Sequence, residues 1–448
     1  MNSKNIQRVI VIGGGLAGMA AAVALQSVGV NVSLLEARRS LGGRAGSFDD
    51  PHSGEVLDNC QHVLLGCCTN LLDFYRRIGA SDLIRFERTI HFRDSRGGRH
   101  DLWGIRGWPA PLNLGPSLVA FNALSIAERI ALSRAMLAMM QMGRAGRMAL
   151  SDVSFGDWLD EQRQPNSLIE KFYDPIVVSG LNEETRRSSA AYAIQIFQDA
   201  MLSNSAGYVM GVPNCPLSQL YANIPVRDVR LGVRGGELRI DGDRVSDADA
   251  VVLATNFHAL DNLVPLEWLA RDSRFASLQK IESVPILGAH LWFDQPVLAE
   301  PHAAMMSGPL QWVFRKDDSG SAVHGVISAA RSWVGRDKTQ MLDEFAKQIR
   351  QALPLAREAK LLRGVIVIEK RATFSPLPGI DRLRPPQAPP ANGLKNLFLA
   401  GDYTQTGWPA TMEGAVRSGY LAAGAILGDA KKFLVSDLEQ QWPARLLT

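Results

Sequence analysis

Gly13, Gly15 and Gly18 stand in the run Val9-Ile10-Val11-Ile12-Gly13-Gly14-Gly15-Leu16-Ala17-Gly18, and Glu36 follows 23 positions after the first of them. Glycines at this spacing, followed by an acid, suit the binding of a pyrophosphate and a ribose. Gly13 permits a tight turn, Gly15 lets backbone approach the pyrophosphate, and Gly18 lets a helix pack close to its strand. Leu16 and Ala17 open that helix, whose first N–H groups are free to face phosphate oxygens. Glu36 offers a carboxylate to ribose hydroxyls and leaves no room for a 2′-phosphate, so FAD or NAD fits better than NADP.

The surrounding elements must bring these residues to one end of a sheet. The apolar run before Gly13 reads as a buried parallel strand, residues 16–28 as a helix ending at Gly29, and residues 31–35 as a second strand, which completes a βαβ unit. A glycine-rich turn that binds nothing leaves this register of strand, helix and acid unexplained. After Glu36 the chain reads Ala37-Arg38-Arg39-Ser40-Leu41-Gly42-Gly43-Arg44-Ala45. The second glycine pair, with Gly43 beside Arg44, returns a guanidinium to the same pyrophosphate, since arginine forks onto phosphate oxygens better than any other side chain. This favours FAD over NAD.

Two later segments rejoin the sheet. Ala248-Asp249-Ala250-Val251-Val252-Leu253-Ala254-Thr255 reads as a buried strand ending in small residues, with Ala254 against the cofactor and short β-like pieces before it at residues 226–231 and 237–240. Asn396-Leu397-Phe398-Leu399-Ala400-Gly401-Asp402 delivers Asp402 to a strand end, where it can accept hydrogen bonds from a ribityl chain. A small-residue helix starting near Thr411, with Met412 in its first turn, points its positive end at the flavin N1/C2 edge.

The chain has 448 residues, 46% hydrophobic and 21% charged, which is a globular balance and long enough for two domains. Its net charge is +3, and no basic run interleaves with aromatics, so nucleic acid is not expected as a partner. The polar opening, residues 1–8, is followed at once by the first strand rather than by a signal-peptide core, which places the chain in the cytoplasm. Cys60, Cys67, Cys68 and Cys215 have no CxxC spacing and read as reduced, packed thiols. His62 lies near Cys60 and Cys67, but the spacing matches no common ligand pattern, so no metal is expected.

The expected architecture is α/β. A discontinuous Rossmann-like FAD-binding domain (1–58, 211–258 and 391–430) is interleaved with an α+β substrate domain (59–210 and 259–390), a mixed sheet plus helices, and residues 431–448 form a tail. Residues 46–224 read as helix-rich, further strands are expected at 286–293 and 365–368 with a helix at 341–353, and residues 385–390 read as a Pro-rich linker. Residues 103–143 combine an apolar, Pro-interrupted stretch with a helix opened by the capping box Ser125-Ile126-Ala127-Glu128. Glu128, Arg129 and Arg134 interrupt it well before the ~20 apolar residues that a bilayer span needs. The stretch reads as interfacial, with Arg144 and Arg147 meeting anionic headgroups, or as core of the substrate domain.

The runs VIGGGLAGMAAA, LLEARRSLGGRA, DNCQHVLLGCCTNLL, GDWL, DADAVVLATN and LFLAGDYTQTGWPATMEGAVRSG together resemble the flavin amine oxidase and carotenoid desaturase superfamily. Within it, the residues at 58–66 and 406–413 are most similar to those of the squalene-associated FAD-dependent desaturases, the hydroxysqualene dehydroxylases of bacterial hopanoid synthesis. The resemblance implies that Gly13, Gly15, Gly18, Glu36, Gly43, Arg44, Asp402 and Met412 contact FAD. No cysteine lies between residues 400 and 428, so the flavin is expected to be non-covalent.

The resemblance implies hydride transfer from flavin N5 to an allylic carbon of hydroxysqualene, with loss of water. No second GxGxxG follows Gly18, so a separate electron donor is expected. The leaving hydroxyl needs a proton, for which His62 is the first candidate by its near-neutral ordinary pKa, with Tyr173 and Tyr403 as fallbacks. The substrate is a hydrophobic triterpene, which a peripheral enzyme would collect at the inner face of the membrane. Alternatives within the superfamily are a carotenoid desaturase running in the oxidative direction and an amine oxidase, with Trp408 as one of its flavin-facing aromatics. A non-catalytic isoprenoid-binding protein has no need of Glu36, Arg44 and Asp402 together.

Overall fold

A computed structural model describes residues 6–245 and 247–446. Residues 1–5 of the polar opening and residues 447–448 of the expected tail lie outside the described residues. Five parallel strands build the nucleotide-binding sheet: β1 (Arg8–Ile12), β2 (Asn31–Glu36), β3 (Asp228–Leu231), β4 (Ala250–Leu253) and β5 (Leu397–Leu399), in the order β3-β2-β1-β4-β5. Val9 lies opposite Val32 on one side and Ala250 on the other, and Val251 lies opposite Leu397. All the strands run the same way, so Gly13, Glu36, Ala254 and Asp402 collect at their carboxyl ends, where ligands of open α/β sheets bind.

Helix α1 (Leu16–Gln26) follows β1, and α2 (Met412–Ile426) follows β5 after a loop. Their apolar faces are mostly Ala and Gly, which lets the axes approach closely. A Cβ at Gly419 would lie 2.2 Å from the Ala17 carbonyl oxygen and 3.0 Å from the Ala20 Cβ, so α2 rests directly on α1 backbone. The two helix N-termini therefore share one edge of the sheet.

The second sheet has seven strands in the order 361–374, 283–293, 322–327, 312–315, 302–305, 89–93 and 99–103. Leu287 pairs with Ile327 and Ile368 in its centre. The helix Lys338–Ala352 covers one face through Met341, Phe345 and Ile349. The strand and helix signals at 286–293, 365–368 and 341–353 thus mark real elements that run longer or start earlier than the pattern indicates.

Several expectations change. Residues 46–224 are helix-rich as read, and Thr89–Arg93 and Arg99–Trp103 add two strands to the second sheet that the pattern does not single out. Leu71, Phe74 and Tyr75, on the helix Thr69–Arg77, share a core with α1 and α2 rather than with the substrate domain. Of residues 237–240 only Ile240 enters a strand; the glycine-rich, exposed stretch before it offers no apolar alternation to pair. The Pro-rich segment is no free linker: Arg384 and Gln387 are buried. The capping box forms as read, with the Ser125 hydroxyl accepting from Glu128 N and the Glu128 carboxylate accepting from Ser125 N. Arg147 is buried and cannot meet a headgroup, whereas Arg144 stays exposed and pairs with Asp437 at 2.8 Å. The helix Ile126–Ala149 breaks at Gly143 (φ 57°), and its last turn carries both arginines onto the buried Asp199, each at 3.6 Å.

Candidate functional site

Gly13 has φ 113°, and a Cβ there would lie 2.5 Å from the Ala254 carbonyl oxygen, so only glycine fits this turn. A Cβ at Gly18 would meet the Gly13 oxygen at 1.9 Å, which explains the third glycine by packing. Gly15 behaves differently: a Cβ there meets no protein atom within 4 Å. It caps α1 with no side chain of its own, and the N–H groups of Ala17 and Gly18 in the first turn are left open to an anion while Leu16 adjoins the parallel bridge between Gly15 and Gly42.

The second glycine pair lies on the first. Gly42 N donates to the Gly14 carbonyl at 2.9 Å, and a Cβ at Gly43 (φ 60°) would lie 3.2 Å from the Gly15 Cα. That contact brings Arg44 to the loop. Glu36 ends β2 with one carboxylate oxygen accepting from Gly14 N at 2.6 Å and the other from Arg38 N at 2.8 Å, and exposed Ala37 continues past it.

Arg44 donates to the Ala372 carbonyl and, at 2.5 Å, to the Asp402 carboxylate. Burial opposes the guanidinium charge, but Asp402 more than restores it and holds Arg44 above its ordinary value. Asn59 donates to the Arg44 carbonyl at 3.2 Å and so steadies the turn from the next motif. Asp402 comes from the loop after β5, where Gly401 (φ 151°) admits the ring of Tyr403 against its backbone. Met412 opens α2, whose N-cap Thr411 accepts from Gly414 N. Glu413 is fully buried and accepts from Asn70 N and Leu71 N, placing an anion at the positive end of the helix Thr69–Arg77.

The proton-transfer candidates separate. His62 donates from Nδ1 to the Cys60 carbonyl at 2.9 Å, which fixes the neutral tautomer and leaves the Nε2 lone pair free. Burial lowers its pKa, and the positive field of Arg44 adds to this. Tyr403 is buried beside Phe257, its hydroxyl has no partner among the described residues, and burial raises its pKa. Tyr173 donates to Gln164 at 3.1 Å and is ringed by Phe155, Phe172 and Phe197, so it belongs to the helical core rather than to the glycine loops.

The sequence reading missed His290 and His324. His290 donates from Nε2 to the Asp58 carbonyl at 3.0 Å, and its Nδ1 accepts from His324 Nδ1 at 3.2 Å. This pair, on two neighbouring strands of the second sheet, buttresses the Asp58–His62 turn. Two histidines one above the other across 34 positions leave no local signal.

An open helix N-terminus, a cleared glycine turn and an arginine–aspartate pair at the carboxyl end of a parallel sheet fit a pyrophosphate and its flanking riboses. They define a dinucleotide-binding flavoprotein. Residues 16–427 match the family of flavin containing amine oxidoreductases, and the chain belongs to it; FAD is its cofactor. The chain is 27% identical over 97% of its length to the zeta-carotene desaturase of Synechocystis sp., all of which is covered. It is 26% identical over 94% of its length to the 15-cis-phytoene desaturase of Synechococcus elongatus, with 96% of that protein covered. Among solved structures, putrescine oxidase superposes with a TM-score of 0.69 at 16% identity, covering 94% of this chain and 99% of that one. Cyclohexylamine oxidase from Brevibacterium oxydans superposes at 0.63 and 17%, covering 95% and 99%. Among the described residues no group of three or more His, Cys, Asp and Glu side chains is arranged to hold a metal, and no helix is long and apolar enough to cross a membrane.

Proposed function

We propose that this chain is an FAD-dependent oxidoreductase of a long, acyclic isoprenoid, and that it moves hydride between an allylic carbon of that substrate and the flavin. The observation that carries this reading is the likeness, over nearly the whole length of both chains, to desaturases named for phytoene and zeta-carotene. FAD supplies the two-electron chemistry when bound at the glycine loops through Gly13, Gly15, Gly18, Glu36, Gly43, Arg44, Asp402 and Met412.

In the oxidative direction one carbon gives up hydride, its neighbour gives up a proton, and a double bond forms. His62 suits the proton step, because its tautomer leaves Nε2 as an acceptor and its lowered pKa keeps it neutral at physiological pH. The second reading is reductive dehydroxylation of hydroxysqualene to squalene: hydride replaces the hydroxyl, which takes a proton and leaves as water. The similarity of residues 58–66 and 406–413 to the squalene-associated enzymes favours it. Either direction requires a separate electron partner.

Substrate uptake from a lipid surface has its own support. Trp108, Leu112, Val119, Ile126 and Ile130 are all exposed, and residues 102–127 carry Arg106 and no acid. Such a face suits the interfacial zone of an anionic bilayer.

The test is an anaerobic one. Oxidised holoprotein is mixed with phytoene or a simple amine, and photoreduced holoprotein with hydroxysqualene. Bleaching by phytoene, with a new conjugated double bond in the product, supports desaturation. Reoxidation by hydroxysqualene with squalene formed supports the second reading. Bleaching by the amine alone overturns both.

A further inference from the structure

Arg384 is a fully buried arginine outside every motif that points to the cofactor. A buried charge is costly unless its donors are matched. Here Nη2 lies 2.9 Å from the Asp402 carbonyl, 2.5 Å from the Thr404 carbonyl and 3.0 Å from the Thr406 hydroxyl. Nη1 reaches Tyr192 and, at 3.1 Å, Asp381, while the guanidinium sits 4.9 Å from the Phe374 ring centre. Three successive acceptors on one short loop thus converge on one nitrogen.

That loop has no helix or strand of its own between Leu399 and Met412. Its shape comes from outside. Gln387 donates to the Thr404 hydroxyl at 3.0 Å and the Gln405 carbonyl at 2.7 Å, and Gln405 N donates to the Pro385 carbonyl. The Thr406 hydroxyl in turn accepts from Trp408 N at 3.2 Å, which extends the hold to the residues that lead into α2.

We infer that Arg384 is a positioning residue for the cofactor, holding the 402–406 turn in the shape that aims the Asp402 carboxylate toward Arg44 and the FAD ribityl chain. Released from Arg384, the carbonyls of residues 402 and 404 lose their fixed partner and the turn relaxes. Preorganisation of this kind lowers the cost of binding without touching the ligand. The inference rests on Asp402 as an FAD contact and not on the identity of the substrate.

The test titrates FAD into apoprotein, followed by flavin fluorescence, for wild type, Arg384→Lys, Gln387→Ala and Asp402→Asn, with Tm measured for each apoprotein. Arg384→Lys is expected to weaken FAD binding about tenfold or more, since several charge-assisted bonds are lost, and to alter the visible flavin band. Gln387→Ala is expected to show a smaller loss of the same kind. A lower apoprotein Tm with unchanged FAD affinity and spectrum would mean a purely structural arginine and overturn the inference. Should Arg384→Lys fail to fold, unchanged affinity in Gln387→Ala overturns it equally. Wild-type affinity in Asp402→Asn would remove the Asp402 contact itself, a separate outcome.

Discussion

Arg44 and Asp402 lie 358 positions apart in the chain and meet at 2.5 Å. The pair closes the nucleotide-binding half over its own loops and joins the second glycine turn to the loop after β5. Arg44 also holds the Ala372 carbonyl of the second sheet, so one guanidinium ties the two sheets together beside the glycine turns.

Replacement of Arg44 by Met removes these donors together with the guanidinium proposed to meet the pyrophosphate. Charge-assisted bonds are each worth roughly 1.5–3 kcal/mol, so FAD affinity is expected to fall about 100-fold or more. Fluorescence titration checks this, and a yellow preparation with undiminished affinity counts against the site.

His62 gives a pH signature. Its pKa is lowered, so a base role requires the neutral ring, and kcat/KM should rise as pH increases through a value below 6.5 and then level off. His62→Ala is expected to lose about 100-fold or more of turnover and keep its flavin. A profile that falls as pH rises through that region would assign His62 to proton donation.

Acid stability follows from the other histidines. Burial lowers His290 and His324, and it lowers His302 to about 3. Unfolded histidines bind protons near pH 6.5, so their folded neutrality favours the native state above that value, and the advantage is lost as pH falls toward the folded values. Tm should therefore drop progressively below pH 6.5. Replacing His324 by Phe should flatten the drop; an unchanged slope would exclude the buried pair as its source.

Lipid contact can be read by flotation with vesicles of phosphatidylcholine and phosphatidylglycerol. Val119 and Ile126 are 72% and 75% exposed, and changing both to Asp should cut the bound fraction about tenfold or more without lowering Tm, because neither side chain supports the core. Equal flotation of variant and wild type would dismiss this face.

Substitution of Gly419 by Val probes the helix contact. The added side chain must displace the Ala17 carbonyl, and overpacking of this kind costs about 1–3 kcal/mol. A loss of Tm is expected, with FAD affinity falling alongside because the N-terminus of α1 shifts. An unaltered Tm would show that the helices yield freely.

Much of the nucleotide site is legible in the sequence because its signals are local. Gly13, Gly15, Gly18 and Glu36 fall within one βαβ unit and Asp402 sits just past a run of strand formers, although the clashes that exclude a Cβ at Gly13 and Gly43 come from the distant Ala254 and Gly15. The second sheet is harder to read. Residues 89–103 join strands that lie some 200 positions later, and the parallel pairing of Phe92 with Ala304 has no trace in hairpin chemistry. Arg384, His290 and His324 are illegible for the same reason, since a buried polar side chain declares itself only through distant partners. Arg147 reads as a surface cation because the break at Gly143, which turns it inward, looks like any helical glycine.

The close seat of Gly419 on α1 has a wider meaning. The first and last units of the nucleotide sheet are joined there into one body, and the excursions between β2 and β3 and between β4 and β5 are tied into it through Leu71, Phe74 and Tyr75 and through Arg384 and Gln387. A single backbone contact between two small-residue helices thereby welds the opening βαβ unit to the last strand–helix unit of the nucleotide sheet.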